Sequence, residues 1–411
     1  MNNKLPKKLN ISFPIWGLYD IDGKGFYADT DKMMKEHVER GFNCIRLDDG
    51  AGLMHDLDGK PRGRVKIGHA FGEYDKIPRQ FDAIGGEGYC DLLERLIKIA
   101  TSAKKYGVYL ILSSWYYLHT YWMCHDKELN DRLFAIPDED KFMTFAKFLH
   151  YIIEELKKRG LDDVIAFVEI FNEADGLYFT TAYEPLKFTD EHCETVRARH
   201  EEAIFWLKEK HPDVLVAYDS FDVSPDERQI PRNADVLNFH SYFLWGNYMR
   251  VEAVSDDCFD HGIKEEDVRE AHKFRRPEID EYGWHRRIAL YGGLKPEMMS
   301  VYEKRLEDKL REEYDFRVNK AFAAEKTVES VKKIIPDIKV VCGEGVSYVA
   351  SKTLLWEEKS ELCFKLVKTV LKKYSDIGMW GTVVRTCMGP EDPAWNLIPE
   401  KIKELNEVFS E

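Results

Sequence analysis

The stretch Val168-Glu169-Ile170-Phe171-Asn172-Glu173-Ala174 decides the reading of this chain, because an apolar run breaks off abruptly into an Asn-Glu pair. A short run of β-branched and aromatic residues predicts a buried strand, and α/β barrels keep reactive groups at the carboxyl ends of such strands. Taken alone, Glu173 is equally an acid capping a helix start. A second acidic strand end follows where Ile338-Lys339-Val340-Val341-Cys342-Gly343 meets Glu344.

Outward from these two points the order strand, loop, amphipathic helix repeats. The expected strands are Ile11 to Trp16, Asn43 to Leu47, Val108 to Leu112, Val164 to Phe171, Val214 to Tyr218, Val236 to Phe239, Ile338 to Val341 and Met379 to Val384. The clearest helix covers Phe142 to Lys158, with Phe142, Phe145, Leu149, Ile152, Ile153 and Leu156 on one stripe before Gly160. Alternation of this kind predicts parallel strands covered by helices, and no dinucleotide or phosphate loop follows the first strand, so the expected fold is a (β/α)8 TIM barrel spanning 1–411. Two segments exceed simple connections. Asp48 to Tyr89 reads as a long loop over the active face, and Phe243 to Pro336 (243–336) as a helical insertion with helices near Glu265 to Phe274 and Pro296 to Ser330.

The net charge of −14 over 411 residues argues against nucleic acid or an anionic membrane as partner, and leaves neutral ligands open. The polar start Met1 to Lys8, without an apolar core of a signal, points to a cytoplasmic protein. Eight cysteines without close pairing, such as Cys44 and Cys342 in apolar runs, read as buried free thiols. No HExxH motif occurs and the 13 histidines are dispersed, so neither a metal nor another cofactor is expected.

On a barrel, Glu173 and Glu344 face each other across the mouth, and two carboxylates across a cleft suit glycoside cleavage. Here the chain resembles the clan A glycoside hydrolases, in particular the cellulase-like family 5 type. The matching residues are Asn172-Glu173, Glu344, the segment Gly41-Phe42-Asn43-Cys44-Ile45-Arg46, His240-Ser241-Tyr242 and Trp380. The resemblance implies a retaining β-glycosidase acting on a carbohydrate substrate, with Glu173 as acid/base and Glu344 as nucleophile. It further implies Asn172 on the sugar 2-hydroxyl, Arg46 and Tyr242 holding the nucleophile, His240 touching sugar and Trp380 as an aromatic floor. Trp115, with Tyr116 and Tyr117, either lines substrate subsites or covers the barrel rim. Alternative readings make Arg46 a partner of Asp48 or Asp49, and His240 and Trp380 ordinary core. Two departures stand out: Ser113-Ser114-Trp115 occupies the place of a family histidine after the third strand, and Gly345 follows Glu344 where an aromatic is usual. The rivals to the enzyme are a carbohydrate-binding barrel without catalysis and a metal-dependent barrel.

Overall fold

In a computed structural model of the chain, the described residues are 5–14, 17–19, 25, 27–48, 50–68, 88–115, 124–175, 189–244, 296–346, 355–386, 388–390 and 392–411. Ten strands lie among them: β1 Leu9–Ser12, β2 Cys44–Asp48, β3 Val65–Ile67, β4 Gly88–Cys90, β5 Tyr109–Ser113, β6 Ile165–Glu169, β7 Val216–Ser220, β8 Val236–Ser241, β9 Lys339–Gly345 and β10 Gly381–Val383. Eight of these close a barrel in the order β1-β2-β5-β6-β7-β8-β9-β10, and every pairing around it is parallel. Each of the eight expected strands overlaps one barrel strand, and the fold is a (β/α)8 barrel.

The reason is burial. Strands such as β5 and β6 are buried along nearly their whole length, as strands walled on both faces must be. The helix Lys141–Lys157 buries Phe142, Phe145, Leu149, Ile152, Ile153 and Leu156, the stripe read from the sequence. The helix Leu92–Tyr106 ends where Gly107 adopts a left-handed φ of 70°.

The segment after β2 differs from a plain loop. It holds a short helix Ala51–Met54, and β3 pairs with β4 in an antiparallel hairpin, while residues 69–87 lie outside the described part. Between β8 and β9 the helix Met299–Ile334 buries Leu306, Leu310, Ala321, Ala324, Val328 and Val331 and packs on the helix Glu361–Asp376. The helix expected near Glu265 to Phe274 lies outside the described residues. Six cysteines, Cys44 and Cys342 included, are buried free thiols, and no described helix is long and apolar enough to cross a membrane.

One irregularity shapes the barrel mouth. The β8–β9 register runs Phe239 to Cys342 and then His240 to Glu344, so Gly343 is an extra residue, a bulge that re-aims the strand end. The Gly343 amide donates to Asn238 Oδ1 at 2.6 Å, and a Cβ on Gly343 would collide with the Asn238 side-chain amide. Gly343→Ala is therefore expected to destabilise the barrel by about 1–3 kcal/mol, the usual scale of an overpacked core, read as a lower urea midpoint. An unchanged midpoint would mean that the bulge has slack.

Candidate active site

The strand β6 ends at Glu169, so Glu173 sits four residues beyond it in a turn, further from the strand end than the expected strand Val164 to Phe171 placed it. Glu173 has φ 54°, a left-handed conformation uncommon for a residue with a Cβ, and the turn is held by two carboxylates. Asp219 Oδ1, near the end of β7, accepts the Glu173 amide at 2.6 Å. Asp175 accepts from the Phe221 amide at 3.0 Å and from the Ser220 hydroxyl. On the opposite wall, Val346 also has a positive φ of 67°, and its amide donates to the Ser241 carbonyl at 3.0 Å. Both expected catalytic acids thus lie at or beside backbone that the surrounding network forces into place.

Beside Glu344 lies Arg46, wholly buried. Its Nη1 donates to Glu344 Oε1 at 2.6 Å, its Nη2 to Glu169 Oε2 at 2.8 Å and to Asn172 Oδ1 at 2.6 Å, and Asp219 Oδ2 lies 3.3 Å away. The ion pairs of Arg46 are with Glu169, Asp219 and Glu344 and not with Asp48, which accepts from the Tyr19 hydroxyl, while Asp49 lies outside the described residues. Burial works against the guanidinium charge, but Glu169, Glu344 and Asp219 overcome it and hold the arginine pKa well above its ordinary value. The face of the guanidinium stacks 4.7 Å from the Phe13 ring centre and 5.7 Å from that of Trp115. Trp115 is buried and donates its ring N–H to Ser113 Oγ at 3.0 Å, so it covers the arginine; Tyr116 and Tyr117 lie outside the described residues. Ser113, in the place of the family histidine, also accepts from Arg46 Nη2 at 3.1 Å.

His240 stands between the two glutamates. Its Nδ1 is 3.0 Å from Glu173 Oε1, and its Nε2 is 3.3 Å from Asp219 Oδ1 and 3.5 Å from Glu344 Oε1. Burial alone would push its pKa down, yet the charges of Glu344 and Asp219 and the bonds to its carboxylate neighbours raise it well above the ordinary value. Tyr242 donates its hydroxyl to Glu344 Oε2. The Glu173 pKa is raised, first by burial and then by the charges of Glu344 and Asp219, against the lowering effect of His240. One oxygen of Glu173, one nitrogen of His240 and one oxygen of Glu344 lie within 4.8 Å of one another, so this group could also hold a cation.

The structure therefore brings together Arg46, Asn172, Glu173, His240, Tyr242 and Glu344, with Trp115 behind them. It does not bring Trp380. That residue precedes β10, donates its ring N–H to the Pro6 carbonyl at 3.0 Å and has Lys339 Nζ over its ring at 4.8 Å, all at the amino end of the barrel. It lies at the amino end of the expected strand Met379 to Val384 just as it does beside β10, so the resemblance alone had put it at the mouth, and its role as an aromatic floor is withdrawn. Sequence reasoning missed three residues. Glu169, Asp219 and Asn238 form a buried layer beneath the site, with Asn238 Nδ2 at 2.6 Å from both Glu169 Oε1 and Asp219 Oδ2. The signal for the two acids was a carboxylate inside an apolar run, which required a buried cation such as Arg46.

Asp175 yields a pH prediction. Burial pushes its carboxyl from 3.8 up to about 7, against the hydrogen bonds from Ser220 and Phe221. The folded chain then holds a proton that the unfolded chain releases near the lower value, so this group loses stabilising effect as pH rises from about 4 to 7. In urea unfolding, wild type should lose stability relative to Asp175→Asn across that window. Parallel curves would contradict the assignment.

Known proteins share both the barrel and its sequence pattern. A family described as sugar-binding cellulase-like matches residues 15–327. No curated protein sequence matches the chain. Among solved structures, a candidate glycoside hydrolase from Parabacteroides distasonis is similar with TM-score 0.67 at 17% identity, covering 98% of this chain and 93% of that one. The endo-β-1,4-mannanase from Thermotoga petrophila is similar with TM-score 0.53 at 14% identity, covering 100% of this chain and 78% of that one. Such identities establish the fold, whereas the family match spans most of the sequence. The chain belongs to the sugar-binding cellulase-like family.

Proposed function

We propose that the chain is a retaining glycoside hydrolase acting on β-linked oligosaccharides or small glycosides. The observation that carries this reading is the short distance between its two acids, with an oxygen of Glu173 and one of Glu344 within 4.8 Å. A retaining pair sits about 5–5.5 Å apart, whereas an inverting pair needs about 6.5–9.5 Å to seat a water between acid and sugar.

The two environments suit two roles. Glu344, bonded by Arg46 and Tyr242, is held as the carboxylate that attacks the anomeric carbon. Glu173, with its raised pKa, gives its proton to the departing oxygen as the C–O bond breaks. A glycosyl ester on Glu344 results. Its formation removes the Glu344 charge from beside Glu173, whose pKa then falls, and Glu173 takes a proton from the water that cleaves the ester. Asn172 fits the sugar 2-hydroxyl: its Oδ1 is fixed on Arg46, while its buried Nδ2 has no partner among the described residues.

A binding barrel without hydrolysis is the second reading. It is favoured by Ser113 in the place of the family histidine, and by the position of Trp380 at the far end of the barrel. Proton NMR of the sugar released from β-linked oligosaccharides separates the two. The β-anomer should appear first; an initial α-anomer would exclude retention, and calorimetric sugar binding without any hydrolysis would favour the binding barrel. Leaving groups give a separate test. Glu173→Ala should lose about 10²–10⁴-fold on poor leaving groups and far less on dinitrophenyl glycosides, since general acid catalysis matters only for the former. Equal losses on both would remove Glu173 from the acid role.

A further inference from the structure

A second cluster of ligating side chains lies at the other end of the barrel. His150 belongs to the helix Lys141–Lys157, and His211 follows the helix Asp190–Lys210 on the way into β7, hence at the amino end of the strands. His150 Nδ1 and His211 Nε2 are 2.8 Å apart. Glu154 is one helical turn beyond His150, and one ligand atom from each of the three residues lies within 4.8 Å of the others. His211 is buried, His150 and Glu154 are half-buried, and the Glu154 carboxylate side is open to an entering ion. The Trp206 ring meets the His150 ring edge-on at 5.5 Å and fixes its plane.

We propose that His150, Glu154 and His211 form a site for a transition-metal ion of the zinc and nickel class, tying the two helices together. Two imidazoles and one carboxylate are a ligand set such ions take, with water completing the shell. Metal–nitrogen bonds of about 2.0–2.1 Å set neighbouring ligand nitrogens roughly 3 Å apart, close to the spacing already present. One group competes. Lys157 Nζ lies 2.8 Å from His211 Nδ1, and its bond there keeps the ring proton on Nε2, the atom the metal needs. Metal binding therefore turns Lys157 outward and moves the ring proton to Nδ1.

Zinc chloride titrated calorimetrically into the full chain tests this independently of any glycosidase activity. The expected result is one zinc per chain, weakened tenfold or more in His150→Ala and in the surface variant Glu154→Gln, and tightened in Lys157→Met. Binding should persist in Glu173→Gln, because that residue belongs to the other cluster. The proposal is overturned if zinc fails to bind, if His150→Ala and Glu154→Gln bind as wild type does, or if Glu173→Gln abolishes the binding.

Discussion

Arg46 is the charge around which the barrel mouth is built. One guanidinium, fully buried, meets Glu344, Glu169, Asp219 and Asn172, which come from several different parts of the chain. Without it, three carboxylates would lose their shared cation in the interior, and breaking buried ion pairs in this way costs about 3–5 kcal/mol. Arginine suits this position better than lysine because its planar fork satisfies several acceptors at once and keeps its charge when desolvated. The same contacts that offset its burial also fix the position of Glu344, so stability and the proposed chemistry draw on one interaction.

The geometry around Arg46 is set by irregular backbone. The bulge at Gly343 puts Glu344 opposite His240, and the left-handed turn at Glu173 carries its carboxyl over the barrel axis to the same histidine. Regular strands would alternate these side chains in and out of the barrel and would not converge them. Asp219 links the two devices, since one carboxylate accepts the Glu173 amide and also receives Asn238, whose Oδ1 holds the Gly343 amide. A strained turn persists where its surroundings over-determine it, and here the surroundings are a hydrogen-bonded layer with no freedom to relax.

The barrel and its principal acids were legible because each has a strong local signature. Apolar runs separated by amphipathic helices mark parallel strands, and Asn172-Glu173 and Glu344 are acids where such runs stop. The layer below was not legible. Glu169 and Asp219 look like interruptions of a strand until Arg46 is known to face them, and that pairing spans more than a hundred residues of sequence. Nor is the main cause of the raised Glu173 pKa visible in the sequence, because it is burial in the folded site. Bulges leave no clear mark either: Gly343 is one small residue in an apolar run, and its need for the absence of a Cβ comes from Asn238 on another strand. Trp380 shows the limit of a resemblance, because it stands at the amino end both of the expected strand Met379 to Val384 and of β10. In a barrel the two ends of a strand face opposite mouths, so an aromatic at that end does not reach the acids.

The proposed division of labour between Glu344 and Glu173 can be tested by mass spectrometry of the protein after reaction with an activated 2-deoxy-2-fluoro glycoside. The fluorine slows hydrolysis of the glycosyl ester and lets it accumulate on the attacking residue. One label per chain is expected, on the peptide containing Glu344, and it should be lost in Glu344→Gln. A label on Glu173, on Glu169 or on Asp219 would contradict the roles that Arg46 and Tyr242 impose on the site.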